Sequence, residues 1–362
     1  MQRGFNLRDF DWFLLLLALG IAATGVVEIY STTAHTALAA QYKRQIYWIL
    51  LGCLAALAIC RLDYHLILEH IPGIYLLTLL ALVVVLFAGQ SISGARRWLR
   101  FGPLTFQVSE VAKLVIMLVV AGYLAGKREK FVTWKDLAAL SVLVGLPAAL
   151  VAIEPDLGTA LTFVPIAVSG LFLAGMRGRQ VFALLLVAIL TLPVGWHFLK
   201  PYQRERVTAF VHPSENVQGS GYQVSQAKIA IGSGGFWGKG IGNGTQSRLG
   251  FIPVSRADFV FASYAEEQGF VGTLLVLLLY FALLLRLLEG AQTAGDRAGA
   301  FLLVGIASVL FFQVAVNIGM MIGLLPITGI PLPLMSQGGS STLVTFVALG
   351  LAMSVKMRRF VN

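Results

Sequence analysis

The sequence predicts an all-α, polytopic membrane bundle of about ten crossing helices, and three observations carry that prediction. Hydrophobic residues make up 57% of the 362 and charged residues only 12%, against roughly 45–50% and 25% in soluble domains. Mean hydropathy is +0.82. The apolar runs reach the roughly 20 residues needed to cross a hydrocarbon core of about 30 Å, and they lack the strict alternation of barrel strands.

Ten spans follow in chain order: 11–30, 46–60, 71–88, 108–124, 137–153, 157–174, 181–199, 258–285, 298–323 and 339–355. The chain 1–362 reads as one integral membrane domain that contains a long loop at 200–257. The first run, from Trp12 to Tyr30, follows two Lys/Arg residues and is not succeeded by an A-x-A-like cleavage site before the next charged loop. It reads as a retained helix.

Charge sets the sidedness. With the N-terminus cytoplasmic, the inner segments carry Arg3, Arg8, Arg61, Lys127, Arg128, Lys130, Lys135, Arg177, Arg179, Arg286, Arg297, Lys356, Arg358 and Arg359. The short outer loops carry only Lys43, Arg44, Arg96, Arg97 and Arg100. Positive residues concentrate on the cytoplasmic side, and long loops translocate largely regardless of charge, so the basic residues of 200–257 do not count against this topology. Both termini then lie inside, and every unusual polar segment falls on the outer side.

Several functions are disfavoured. The net charge of +10 is accounted for by topology and attraction to anionic lipid rather than by nucleic acid. Five scattered histidines without an H-E-x-x-H pattern give no zinc site. Cys53 and Cys60 are seven residues apart on one run, roughly 10 Å along a helix and too far for a disulfide. The Gly-rich string "AKIAIGSGGFWGKGIGNGTQSRLG" fails the Walker A pattern, because Ser233 stands where a Gly is needed before Gly238-Lys239 and Gly240 stands where Ser or Thr must follow. No nucleotide cofactor is expected.

The polar segments supply the candidates. Asp258, at the outer start of the eighth span, has two readings: a general base for a substrate hydroxyl, or a helix N-terminal carboxylate that favours the macrodipole. Glu266 and Glu267 lie two turns deeper and, being adjacent, point about 100° apart. Glu110 and Lys113 are neighbours on one helical face, either a buried ion pair or part of a cavity wall. Asp156 in "EPDLGT" could serve simply as an N-cap. The string "PLPLMSQGGSST" reads as a broken start to the last span: Pro331 and Pro333 oppose helix, Gly338 and Gly339 permit close approach, and the free N–H groups there suit an anion.

Taken together, "GARRWLRFGPLTFQVSEVAKL", "PDLGTAL", "KIAIGSGGFWGKGIGNGTQSRLGFIPVSRADFVFASYAEEQGFVG" and "LLPITGIPLPLMSQGGSS" resemble the SEDS family (shape, elongation, division and sporulation). They occur in family order over most of the chain, and "GIPLPL" with the short N-terminal tail is more similar to the elongation branch than to the division branch. The resemblance implies a glycosyltransferase that polymerises peptidoglycan from lipid II and an undecaprenyl-pyrophosphate-linked glycan. In that role Asp258 matches the catalytic aspartate, and Glu110 with Lys113 match a functional pair in the fourth span.

Asp156 and the stretch with Ser336, Gly338, Gly339 and Ser340 match recurring segments. Negative charge on a departing pyrophosphate calls for cations, for which Arg96, Arg97, Lys113, Lys239 and Arg248 are the candidates, together with a divalent ion such as Mg or Mn. The resemblance also implies a class B penicillin-binding protein as partner, whose transpeptidase crosslinks the new strand. The sequence departs from the family at Arg256-Ala257, where His-Thr is usual, at Val108 in place of Pro, and at Gln337 in place of Tyr. Two rival readings stand beside the enzyme: a flippase for the lipid-linked precursor, and a scaffold that activates the transpeptidase.

Overall fold

The computed structural model describes residues 10–34, 38–92, 95–101, 104–127, 129–212, 219–252 and 257–359. Helices α1 (Trp12–Thr33), α2 (Gln41–Arg61), α3 (Tyr64–Glu69) and α4 (Ile71–Ala88) lead into strands β1 (Gln90–Ile92), β2 (Ala95–Phe101) and β3 (Leu104–Phe106). Then follow α5 (Val108–Ala125), α6 (Trp134–Ile153), α7 (Leu157–Leu161), α8 (Phe163–Leu173) and α9 (Gly178–Phe198). Helices α10 (Pro201–Val211), α11 (Ser220–Ser233), α12 (Thr245–Arg248), α13 (Val260–Gln292), α14 (Arg297–Met321) and α15 (Gly339–Met357) complete the chain.

Nine helices among the described residues are long and apolar enough to cross a membrane: α1, α2, α4, α5, α6, α9, α13, α14 and α15. The run expected as a span at 157–174 is helical from Leu157 to Leu173, shorter than the nine, with its hydrogen bonding interrupted only at Thr162, whose backbone stays right-handed helical. The Thr162 hydroxyl donates to the Thr159 carbonyl at 2.6 Å, a local bond that competes with helix continuation.

Helices α5, α14 and α15 form the core, with 78%, 67% and 72% of their apolar stretches buried. Around them α2 packs on α15, α4 on α5, and α1 on α13. Helix α9 is peripheral, with 6% of its apolar stretch buried, the composition and exposure of a lipid-facing helix. One end of the bundle carries a cationic network: Arg286 and Lys356 hold Asp11 at 3.0 and 2.6 Å, and Arg358 lies 3.5 Å from Asp63. The other end gathers the starts of α5, α7, α13 and α15, and with them the candidate residues.

Two further features depart from the sequence expectation. The fold is not wholly helical, because β1, β2 and β3 form a small antiparallel sheet in which Leu99 faces Phe106, Arg100 faces Thr105 and Phe101 faces Leu104. The signal was a Gly-Pro turn dipeptide between two short β-prone strings, "RRWLRF" and "LTF". The segment expected as a loop at 200–257 also contains α10, α11 and α12.

The Gly-rich string turns back into the bundle. Helix α13 is broken at Gly269, whose φ of 65° and ψ of −163° are helix-incompatible. There the segment 235–240 satisfies the freed backbone groups: Lys239 N donates to Glu266 O at 3.1 Å, Gly240 N to Glu267 O at 2.9 Å, Phe270 N to Gly235 O at 2.9 Å and Val271 N to Phe236 O at 3.2 Å. A Cβ on Gly238 would fall onto the Glu267 carbonyl. Irregular backbone at membrane depth is tolerated only where protein groups satisfy it, and glycine is what lets the two chains approach closely enough.

Candidate active site

Asp258 sits two residues before α13, half-buried. Its own backbone is pinned on both sides. Asn317 Nδ2 in α14 donates to the Asp258 carbonyl at 3.0 Å and to the Ile330 carbonyl at 2.8 Å. The Ser336 hydroxyl donates to the Ala257 carbonyl at 2.7 Å and accepts from Leu332 N at 2.8 Å. Ser336 therefore holds the aspartate's neighbour in place.

One guanidinium group shares a space with this carboxylate, and a second acts on it through its charge. A Cβ on Gly329 would lie 3.6 Å from Asp258 Oδ2 and 3.5 Å from Arg206 Nη1, so Asp258 and Arg206 of α10 border one small space that a side chain at 329 would fill. Arg206 also stacks over the Tyr202 ring at 5.8 Å. Arg97 of β2 approaches from the sheet and is paired with Asp156 at 3.2 Å. Desolvation raises the Asp258 carboxyl above its usual range, the charges of Arg206 and Arg97 pull it down, Asp156 adds to the rise, and the net direction is upward. Arg256, one of the departures from the family, lies outside the described residues; the cations that oppose the rise here are Arg206 and Arg97.

Asp156 is the N-cap of α7, accepting from Thr159 N at 3.3 Å and from the Thr159 hydroxyl at 3.0 Å. It is more than a cap. Its Oδ2 also accepts from Gln107 Nε2 at 2.6 Å, and Gln107 N donates to Ser340 Oγ at 3.1 Å. A chain Ser340–Gln107–Asp156–Arg97 thus links the start of α15, the foot of the sheet, the start of α7 and β2. Gly338 N donates to Gln45 Oε1 at 3.4 Å, and the Trp48 indole occupies the space where Gly339 would carry a side chain.

Glu110 and Lys113 form a buried ion pair at 2.8 Å in the first turns of α5. Val108, where the family carries proline, is the first residue of this helix, a position that tolerates either. Removing one partner of a buried pair strands the other charge, at a cost of about 3–5 kcal/mol. Lys113→Met is accordingly expected to lower the melting temperature in detergent sharply, and adding Glu110→Gln to restore most of the loss. A double variant as unstable as the single one would contradict this account of the pair.

The structure brings together Asp258, Arg97, Asp156, Ser336 and Ser340. It takes Lys239 elsewhere, to Glu266 at 2.6 Å, and leaves Arg248 exposed at the end of α12. The side chain of Arg96 lies outside the described residues. Sequence reasoning missed Arg206, Gln107, Asn317 and Gln45, which carry no motif spacing of their own and become visible only when five separate elements converge.

Glu154, two residues before Asp156, is 1% exposed, and neither of its carboxylate oxygens has a hydrogen-bond partner among the described residues. Burial first, and then the Asp156 charge, push its carboxyl up to about 8 against the pull of Arg97. The folded protein thus keeps a proton that the unfolded chain releases near 4.5, so stability from this group is fully present below pH 4.5 and is lost as pH rises toward about 8. Glu154→Gln removes that loss. Its melting-temperature advantage over wild type should be near zero at the acid end of this range and grow to several degrees at the alkaline end; a pH-independent difference would contradict the assignment.

Comparison with known proteins gives this arrangement a family. The FtsW/RodA/SpoVE "Cell cycle protein" family model matches residues 10–360. Peptidoglycan glycosyltransferase MrdB of Escherichia coli K12 is 37% identical over 353 residues, covering 96% of this chain and 94% of that protein. Peptidoglycan glycosyltransferase RodA of Treponema pallidum is 30% identical over 426 residues, covering 97% and 98%. A solved chain from a peptidoglycan synthase complex superposes with a TM-score of 0.85 at 34% identity, covering 98% and 99%. The rod shape determining protein RodA of Thermus thermophilus does so with a TM-score of 0.73 at 32% identity, covering 97% and 98%. A polytopic membrane protein matched along almost its whole length in sequence and in fold, this chain belongs to the FtsW/RodA/SpoVE, or SEDS, family.

Proposed function

We propose that the chain is a peptidoglycan glycosyltransferase that polymerises lipid II into β-1,4-linked glycan on the outer face of the cytoplasmic membrane during cell elongation. The observation that carries the reading is a half-buried carboxylate, Asp258, that shares a small space with the Arg206 guanidinium at one end of a membrane bundle, near the Arg97–Asp156 pair. The names of the relatives, peptidoglycan glycosyltransferases MrdB and RodA, support the same chemistry. Both termini are assigned to the cytoplasm, which agrees with the cationic network at the end of the bundle opposite Asp258.

In the proposed reaction the 4-hydroxyl of the acceptor GlcNAc attacks the anomeric carbon of the lipid-linked glycan. The new O4–C1 bond forms as the bond from C1 to the pyrophosphate oxygen breaks, with inversion. The hydroxyl proton passes to Asp258, and the pyrophosphate departs with the bonding electron pair. Its developing charge is met by Arg206 and Arg97, the cations placed nearest the base. The upward shift of Asp258 strengthens it as a base. Asp156, by pairing with Arg97 and accepting from Gln107, orients Arg97.

The described residues contain no group of three His, Cys, Asp or Glu side chains able to hold a metal ion. Asp156 is taken up by Arg97, Gln107 and Thr159 and Asp258 is assigned to the proton, so a magnesium or manganese ion would be brought to the site by the substrate pyrophosphate rather than held by a dedicated protein cage. When bound it would supply Lewis-acid charge to the leaving group. Crosslinking is assigned to a class B penicillin-binding protein, in keeping with the similarity to a chain of a peptidoglycan synthase complex.

The test is reconstitution of the purified chain with its transpeptidase partner in liposomes containing lipid II and a divalent ion. A ladder of glycan polymers is expected. Movement of lipid II between leaflets with no polymer would replace this reading with transport, and neither polymer nor movement would replace it with scaffolding.

A further inference from the structure

The end of the bundle opposite Asp258 holds a pocket that the proposed reaction does not use. It lies between the turn from α5 into α6 and the turn from α8 into α9 and encloses about 430 Å³, within the range of small-molecule sites. Arg297, beside the Asp296 that accepts from Tyr64, donates to the Lys127 carbonyl at 2.9 Å, so the pocket belongs to the end that carries the cationic network. Its two walls are knitted together. Buried Gln180 donates through Nε2 to the Val132 carbonyl at 2.9 Å and accepts from Arg177 N at 2.8 Å, and Val132 N donates to the Gly175 carbonyl at 3.4 Å.

The charge of this pocket is unbalanced. Lys130, Arg177 and Arg179 line it, and none of the three pairs with a carboxylate among the described residues. Lys130 Nζ and Arg177 Cζ stand 5.8 and 5.3 Å from the centroid of one ring, that of Phe131, so two like charges are held to the same side chain. Glu129, which also lines the pocket, is exposed and lies 3.9 Å from Lys127. Asp136, the acid in the first turn of α6, is taken up by Lys127 and the Thr133 N–H, and the first turn of α9 has no acid. The bias of basic residues toward the cytoplasmic side accounts for cations at this end; it does not account for a cavity built between them.

The surroundings say what kind of anion fits. Phe131 and Trp134 are exposed beside the cations, as are Phe172 at the end of α8 and Phe182 near the start of α9. Helices α6 and α9, which both start at the pocket, have only 28% and 6% of their apolar stretches buried, so their outer surfaces face hydrocarbon. Exposed aromatics at such a level mark the headgroup region, and a basic pocket between membrane helices suits a lipid phosphate whose acyl chains lie on the apolar surface beside it.

We propose that the pocket between Lys130, Phe131, Arg177 and Arg179 binds the phosphate of an anionic phospholipid from the leaflet on that side, with the acyl chains along α6 and α9. The lipid joins the two turns and fastens the start of α9, which has few protein contacts of its own. The site is independent of the reaction assigned to Asp258.

The test uses the full chain, delipidated in a neutral detergent, and counts bound lipid by native mass spectrometry during titration with phosphatidylglycerol or with phosphatidylcholine of the same acyl chains. One phosphatidylglycerol is expected to bind about tenfold more tightly than phosphatidylcholine and to raise the melting temperature as it does so. Arg177→Gln and Arg179→Gln should each weaken that binding about fivefold, the share of one cation near a headgroup, and together by more than about tenfold. Arg177→Lys should bind close to wild type. Lys135→Gln removes a charge at the same end but outside the lining, and should change nothing.

Equal affinity for the two lipids, or an undisturbed affinity in the folded double variant, would overturn the proposal. A loss in Lys135→Gln as large as in Arg177→Gln would do the same, by showing that overall charge and not the pocket attracts the lipid. Displacement of the lipid by inorganic phosphate at matched concentration would make this a free-anion site instead. Should Arg177→Gln fail to fold, Arg179→Gln decides the question by the same readings.

Discussion

Asp258→Asn should abolish glycan polymer while leaving the protein as stable as wild type or more so. The catalytic side follows from chemistry: asparagine keeps the shape of the side chain and cannot take the acceptor's proton, and a positioned base contributes about 10²- to 10⁴-fold. The stability side follows from burial. Desolvation disfavours the Asp258 charge in the folded state, so a neutral side chain of equal volume removes a penalty. Asp258→Glu keeps the acid but displaces it by a methylene, and should retain a small fraction of the rate. Kinetics in matched preparations and melting curves in detergent measure both halves. A variant that loses activity only because it unfolds would contradict this account, as would one that polymerises at the wild-type rate.

Arg206→Ala is expected to have the next largest effect. Arg206 faces the same space as Asp258 across Gly329, so it is placed to meet charge on the leaving pyrophosphate, and loss of one such fixed donor lowers kcat by about 10²- to 10³-fold. Arg206→Lys retains the charge without the planar fork and should recover part of the rate. There is a second consequence. Arg206 is the leading cation that holds the Asp258 carboxyl down, so its removal should move the acidic limb of the pH–rate profile to higher pH. A rate loss with an unmoved limb would separate Arg206 from the base; no rate loss would remove it from the site.

Much of this could be read in the sequence, for physical reasons. Membrane spans are legible because each must be apolar over its full length, and the starts of α13 and α15 announce themselves through Asp258 and the Pro- and Gly-rich string 331–339. The Glu110–Lys113 pair is legible because a helix places residues three apart side by side. Long-range partners are not. Arg206 lies 52 residues before Asp258 in the chain, and nothing in the spacing announces that α10 brings it back.

The Gly-rich string shows the same limit more sharply. Its composition was consistent with a surface loop, and the lysine in it with an anion site. What decides its place is the broken backbone of α13 at Gly269, which needs donors and acceptors from another segment. Glu266 and Glu267, legible only as costly charges at depth, then find their partners in that segment and in α1. Likewise, Ser336 and Ser340 stood out as members of one string, yet the structure spends Ser336 on Ala257 and Ser340 on Gln107, contacts made across elements far apart in sequence.

The central claim is that the chemistry belongs to this chain, and one measurement addresses it directly. The complex with the class B partner is assembled with wild-type chain and with Asp258→Asn, the partner's transpeptidase serine is blocked with a β-lactam, and uncrosslinked glycan formed from lipid II is quantified. Long polymer from the wild-type complex and none from the folded Asp258→Asn complex is the expected result. Equal polymer from both would contradict the claim and take Asp258 out of the reaction.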